Sequence, residues 1–296
     1  MKATQALSVV GFAAQALAHG YVYRITADDT VYPGWDVYID PLMAPTPSRI
    51  AFGGGGVGPL LNMTAPDIAC SSGHTPAPGA IAEVRAGSNV TFHWSRWLYS
   101  HKGPITAWMA PYEGNVSNVN VNELEFVKFA EDTVDDKGVW GTVRLVDNNG
   151  DWTTTIPADI KPGNYIIRHE IIALHFDLGV TPGFEWSPIG PQFYLTCFNF
   201  KVTGDGTATP KGAKFPGAYQ PDEPGFKFDL KSNKTYPTVG PALYKSKTTV
   251  QLSPKPMTVI SPTGQGKDAD DKYYNTQYNV LLQQGNMTAY FDSIGG

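Results

Sequence analysis

The chain has 296 residues, a formal net charge of −5 and only 17% charged residues, with no clustered basic stretch. That balance excludes nucleic acid and anionic membrane as natural partners and leaves a neutral partner such as a polysaccharide compatible. The 31 Gly, 24 Pro, 15 Tyr and 7 Trp suit a loop-rich all-β protein.

The first element is a leader. Lys2, the apolar run 6–14 and the small-x-small triplet Ala16-Leu17-Ala18 read as a secretory signal over residues 1–18, too short to span a bilayer. No other stretch approaches membrane-spanning length, so the expectation is a secreted, extracellular protein whose mature chain starts at His19. A terminal histidine carries a free α-amine that titrates near neutrality and yields its proton to a metal, while the same residue's imidazole closes a chelate ring. Position alone also admits a cleavage that merely happens to precede a histidine.

Short runs rich in β-branched and aromatic residues then recur at 21–26, 81–85, 89–95, 105–110, 124–129, 142–146, 152–156, 165–174 and 193–202, separated by turn signals. No segment has the period of an amphipathic helix of three turns. The predicted fold class is therefore all-β, an immunoglobulin-like or fibronectin-like antiparallel β-sandwich with long loops over residues 19–246. Residues 247–296 read as a low-complexity, partly disordered tail. Cys70 and Cys197, alone in an oxidising compartment, are expected to pair. Asn62, Asn89, Asn115, Asn233 and Asn286 open glycosylation sequons.

Of the six histidines, His74 reads as a solvated turn residue and His93, in Phe92-His93-Trp94, as a packing or surface residue. His169 and His175 share a parity on one predicted strand, as do Gln192 and Tyr194 on the next. Parity does not choose between His169 and His175. Trp94, Trp97 and Trp108 read as core at least as readily as sugar platforms, and by residue type Tyr194 reads as a core tyrosine with a bonded hydroxyl. The glycine run 53–56 lacks the Lys-Ser/Thr of a phosphate loop, and no Gly-x-Ser-x-Gly elbow occurs.

A series of blocks covers nearly the whole domain. These are His19-Gly20-Tyr21-Val22, Ile68-Ala69-Cys70, Thr75-Pro76-Ala77-Pro78-Gly79, Ser100-His101-Lys102-Gly103-Pro104, Pro162-Gly163-Asn164-Tyr165, Arg168-His169-Glu170-Ile171-Ile172-Ala173-Leu174-His175, Gln192-Phe193-Tyr194, Val202-Thr203-Gly204 and Phe215-Pro216-Gly217-Ala218-Tyr219. In this order they resemble the lytic polysaccharide monooxygenases of auxiliary activity family 9. The resemblance implies one copper ion held by the amine and ring of His19, by His101 and, axially, by Tyr194. It further implies that His175 and Gln192 hydrogen-bond the oxygen species, which picks His175 and leaves His169 structural. Tyr219 would stack a sugar on a flat substrate face, with Tyr32 and Trp35 as weaker candidates. The implied activity is oxidative cleavage of cellulose or a related β-1,4-glucan, and of hemicellulose within its reach, at C1 and/or C4, by a monomer using O2 or H2O2 and an external electron donor. The chain departs from the pattern in a longer segment 176–191 and in lacking a second disulfide near 108–111. Two other readings compete: a non-catalytic copper- or polysaccharide-binding sandwich, and a glycoside hydrolase using Asp151 and Glu170, whose carboxyl groups would have to face each other across a cleft.

Overall fold

The computed structural model describes residues 20–261 other than 55, 72–76, 175–189, 233–234, 251 and 254–255. The strands are β1 (Val22–Ala27), β2 (Thr30–Pro33), β3 (Ala82–Arg85), β4 (Asn89–Trp94), β5 (Ile105–Tyr112), β6 (Val127–Asp132), β7 (Asp151–Thr155), β8 (Gly163–Ala173), β9 (Gln192–Thr203) and β10 (Thr258–Val259). They form two five-stranded sheets, in the orders β10-β2-β1-β4-β7 and β3-β9-β8-β5-β6. One short helix, α1 (Gly141–Asp147), precedes β7.

Alternation builds the first sheet. In β4, Val90, Phe92 and Trp94 point to the core while Asn89 is exposed, the pattern of a sheet with one solvated face. β8 and β9 depart from it, because β8 is buried at nearly every position. Their sheet is covered twice. One face, with Ile167, Ile171, Tyr194 and Phe198, packs on Ile25, Phe92 and Trp152 of the partner sheet. The other, with Ile166, Ile172, Phe193 and Trp108, is roofed by Ile68, Phe215, Tyr219 and Phe226 from long connections. The disulfide between Cys70 and Cys197, 127 residues apart, pins part of that roof to β9.

The sandwich agrees with the sequence reading, with local corrections. Residues 142–146, expected as a strand, are helical: Thr142 and Leu145 are the buried face, three apart, and Arg144 turns outward to Asp132 and Asp135. Tertiary packing overrides the β-propensity of Val143 and Val146 here. The sandwich is also not wholly antiparallel, since β3 runs parallel to β9 and β10 parallel to β2. The tail is partly built into the fold. Thr258 and Val259 pair with Thr30 and Val31, and Asp159 accepts hydrogen bonds from Ser246 Oγ at 2.8 Å and the Lys247 N–H at 2.9 Å.

Candidate metal site

Three strand ends meet at one end of the sandwich: the start of β1, the end of β4 with the loop that follows it, and the start of β9. The chain's beginning is fixed there by close packing. A Cβ on Gly20 would stand 1.9 Å from the Arg96 carbonyl oxygen, so only glycine permits this approach. The next residue is locked to the same segment, with Ser95 N–H donating to the Tyr21 carbonyl at 2.9 Å and Tyr21 N–H to Ser95 Oγ at 3.3 Å.

The loop from 95 to 104 carries His101. Its N–H closes a turn on the Leu98 carbonyl at 3.0 Å, and the Trp97 indole N–H donates to the His101 carbonyl, also at 3.0 Å. The imidazole Nδ1 is hydrogen-bonded with Ser100 Oγ at 3.1 Å. α1 braces the loop at two points: Thr142 Oγ1 receives the Gly103 N–H at 3.0 Å, and Asp147 Oδ1 receives the Tyr99 hydroxyl at 2.7 Å. Gly103 lies flat on β8, where a Cβ would fall 1.8 Å from the Ile172 carbonyl oxygen. These contacts explain the Ser-His-Lys-Gly-Pro spacing: the histidine is held by its own main chain before any ligand is considered.

Tyr194 approaches from β9. Its ring centroid lies 6.4 Å from that of His101, with the Trp97 ring wedged perpendicular to Tyr194 at 4.8 Å. Gln192 shares its strand face, and the Tyr194 hydroxyl donates to Gln192 Oε1 at 2.8 Å. Burial raises the Tyr194 phenol above its ordinary pKa. Imidazole nitrogen and phenol oxygen on rigid elements form a donor set that suits a borderline metal such as copper. Among the described residues no three His, Cys, Asp or Glu side chains converge on one point. His19 and His175, the remaining expected members, lie outside the described residues, as does His74.

The other sequence candidates are placed elsewhere. His169 is fully buried and stacked against both Phe92 and Trp152, with centroids at 4.1 and 4.9 Å. Because an indole N–H can only donate, the 2.9 Å bond from Trp94 makes His169 Nε2 the acceptor, and Nδ1–H then donates to the Thr106 carbonyl at 3.2 Å. Its ring is committed to the core, in keeping with a structural residue. His93 is likewise bonded, to Asp151 Oδ1 at 2.6 Å and Thr26 Oγ1 at 2.8 Å.

Tyr219 must be corrected. It is 2% exposed, beneath Phe193, Phe215 and Phe226, and its hydroxyl donates to the Glu170 carboxylate. A ring so placed cannot stack on a sugar at the surface. Trp35 is also buried, and Tyr32 is half-buried with its hydroxyl accepting from the Glu83 N–H at 3.3 Å. The hydrolase pair fails on the same ground. Glu170 is completely buried and paired with Arg168 at 2.5 Å, whereas Asp151 is tied up with His93 on the other sheet. No cleft separates two facing carboxyl groups. Asn62, Asn89 and Asn115 are exposed, and Asn233 and Asn286 lie outside the described residues. The sequence reading overlooked two residues: Trp97, whose role as wedge needed the third dimension, and Tyr99, whose place beside His101 was a usable signal.

Fold and site together define an all-β protein with a nitrogen-and-oxygen donor set at one end of its sandwich. Residues 19–238 match the model of Auxiliary Activity family 9 (formerly GH61). AA9 family lytic polysaccharide monooxygenase A of Geotrichum candidum is 39% identical over 251 residues, 83% of this chain and 84% of that protein. AA9 family lytic polysaccharide monooxygenase F of Malbranchea cinnamomea is 39% identical over 241 residues, 80% of this chain and 96% of that protein. Among solved structures, the extended catalytic domain of H. jecorina LPMO9A superposes with a TM-score of 0.71 at 29% identity, covering 83% of this chain and 99% of that one. The chain belongs to auxiliary activity family 9, the copper-dependent lytic polysaccharide monooxygenases, which cleave polysaccharide oxidatively with a reductant and O2 or H2O2. No helix among the described residues is long and apolar enough to cross a membrane.

Proposed function

We propose that this protein is secreted as a monomer, loses residues 1–18, and cleaves cellulose or a related β-1,4-glucan at C1 and/or C4. The observation that carries this reading is the convergence of Gly20, the residue bonded to His19, with the Arg96 backbone at the head of the loop that bears His101. The family match beginning at residue 19 supports it. In this reading His19 holds copper through its α-amine and ring, with His101 and Tyr194 as the other ligands. When bound, the copper supplies one-electron exchange with an external donor and activates O2 or H2O2 for removal of hydrogen from the sugar.

The chain's own residues do the positioning. Trp97 sets both the main chain of His101 and the tilt of Tyr194. Gln192 has its amide oxygen occupied by the Tyr194 hydroxyl, which directs its N–H donors to the oxygen co-substrate, a role His175 shares. Placement at the end of a sandwich, and not in a cleft, lets a chain on a solid surface reach the site.

The test uses purified protein whose first residue is verified as His19 by mass spectrometry. With copper, ascorbate and cellulose it is expected to release aldonic acids or C4-keto sugars. His19→Ala, or one extra residue before His19, is expected to abolish both these products and tight copper binding. Unoxidised sugars released without reductant would overturn the proposal, and so would tight copper binding with no products.

A further inference from the structure

Among the described residues only two aromatic side chains are exposed, Tyr99 at 54% and Tyr38 at 36%. Only Tyr99 belongs to the loop that bears His101. Tyr38 packs edge-on against Tyr21, with centroids 5.9 Å apart, and Tyr99 lies two residues before His101. Tyr99 occupies a corner of the turn closed by His101 on Leu98, which keeps its Cα within about 7 Å of the histidine's.

Its hydroxyl is committed to Asp147 Oδ1 at 2.7 Å, and no other hydrogen bond or ring contact involves it among the described residues. A tyrosine with its polar end occupied offers solvent mainly its apolar ring face. Tethering also leaves less rotamer freedom to be lost when a partner settles on that face. A β-linked glucose unit is the matching ligand: with every substituent equatorial, both faces of its ring are sheets of axial C–H groups. Those faces are apolar and flat, as the aromatic face is.

We propose that Tyr99 is a stacking platform for a glucose ring of the β-1,4-glucan, next to the site of attack, and that Asp147 is its positioning residue. This rests on the polysaccharide-cleaving reading above and supplies the sugar contact that buried Tyr219 cannot make. Cellohexaose is titrated calorimetrically into the copper-loaded protein and its variants. Tyr99→Ala is expected to weaken binding roughly tenfold, and Tyr99→Phe to stay within about twofold of wild type because the ring remains. Asp147→Ala, which breaks the same hydrogen bond from the other side and keeps the ring, should behave as Tyr99→Phe does. On the same soluble substrate the alanine variant should raise KM with little change in kcat, as expected for a contact made equally before and during reaction. A copper electron paramagnetic resonance spectrum of Tyr99→Ala that matches wild type assigns the lost affinity to the ring, whereas a changed spectrum assigns it to the lost brace between the His101 loop and α1 and overturns the platform.

Wild-type affinity in Tyr99→Ala, alongside active wild-type protein, overturns the platform. A loss of affinity in Tyr99→Phe equal to that in Tyr99→Ala also overturns it, by assigning the effect to the hydroxyl. Failure of wild type itself to bind or oxidise any β-glucan overturns the underlying reading, and is seen before any substitution is made.

Discussion

His169 illustrates how one buried ring responds to acid. Desolvation, reinforced by the neighbouring Arg168 cation, pulls its pKa from 6.5 down to about 3. A protonated ring would leave the Trp94 indole without an acceptor. As the pH falls below 6.5 the unfolded chain gains a proton that the folded chain refuses. Stability from this group is therefore complete above that pH and is lost by several kcal/mol on the way to 3. Asp36 acts in the opposite sense. Burial raises its carboxyl from 3.8 to about 6, so the folded chain keeps a proton that the unfolded chain releases, and stability declines as pH rises between those values by about 3 kcal/mol. Asp36→Asn can still accept from the Tyr38 and Ile39 N–H groups and donate to the Tyr21 hydroxyl. Its Tm, measured from pH 4 to 7, is expected to climb with pH more steeply than that of wild type. At this scale the sequence was legible where parity decided, as for Gln192 and Tyr194 on one face. It failed at Tyr219, because a motif match says nothing about the Glu170 carboxylate waiting beneath.

The loop from 95 to 104 behaves as an element although it has no regular structure. It is clamped by β1 through Ser95, by α1 through Tyr99 and Gly103, and by β8 through the Ile172 and Leu174 N–H groups, which donate to Pro104 and Lys102. Gly103→Ala drives a methyl into the Ile172 carbonyl. It is expected to cost about 1–3 kcal/mol of stability and to weaken copper binding by displacing His101, checked by thermal unfolding and copper titration. The long strands were legible to within a few residues because alternating or continuous apolar runs mark them. β2 and β10 were not, being four and two residues long, the first ending on Pro33 and the second starting two residues after Pro256. α1 was misread because its β-branched residues sit on a two-turn helix whose orientation is set by neighbours, not by propensity.

Across the whole molecule, the doubly covered sheet depends on one covalent tie. Closing a separation of 127 residues removes about 5 kcal/mol of unfolded-chain entropy in the loop-closure model. The same bridge holds the Ile68 and Ala69 carbonyls against the buried Arg168 guanidinium. Cys70→Ser with Cys197→Ser is accordingly expected to destabilise by about 2–5 kcal/mol, lowering Tm by roughly 10 °C in a calorimetric scan.

The direction of β10 also matters for anyone attaching something to this protein. Thr258 lies beside Thr30 and Val259 beside Val31, and β2 itself advances toward Pro33, across from Arg24 near the start of β1. The backbone at Ile260 is therefore aimed at the His101 end of the sandwich and away from the opposite pole. A dye, tether or bulky tag joined just after residue 261 starts its path toward the candidate metal site, where it would compete with a polysaccharide for access.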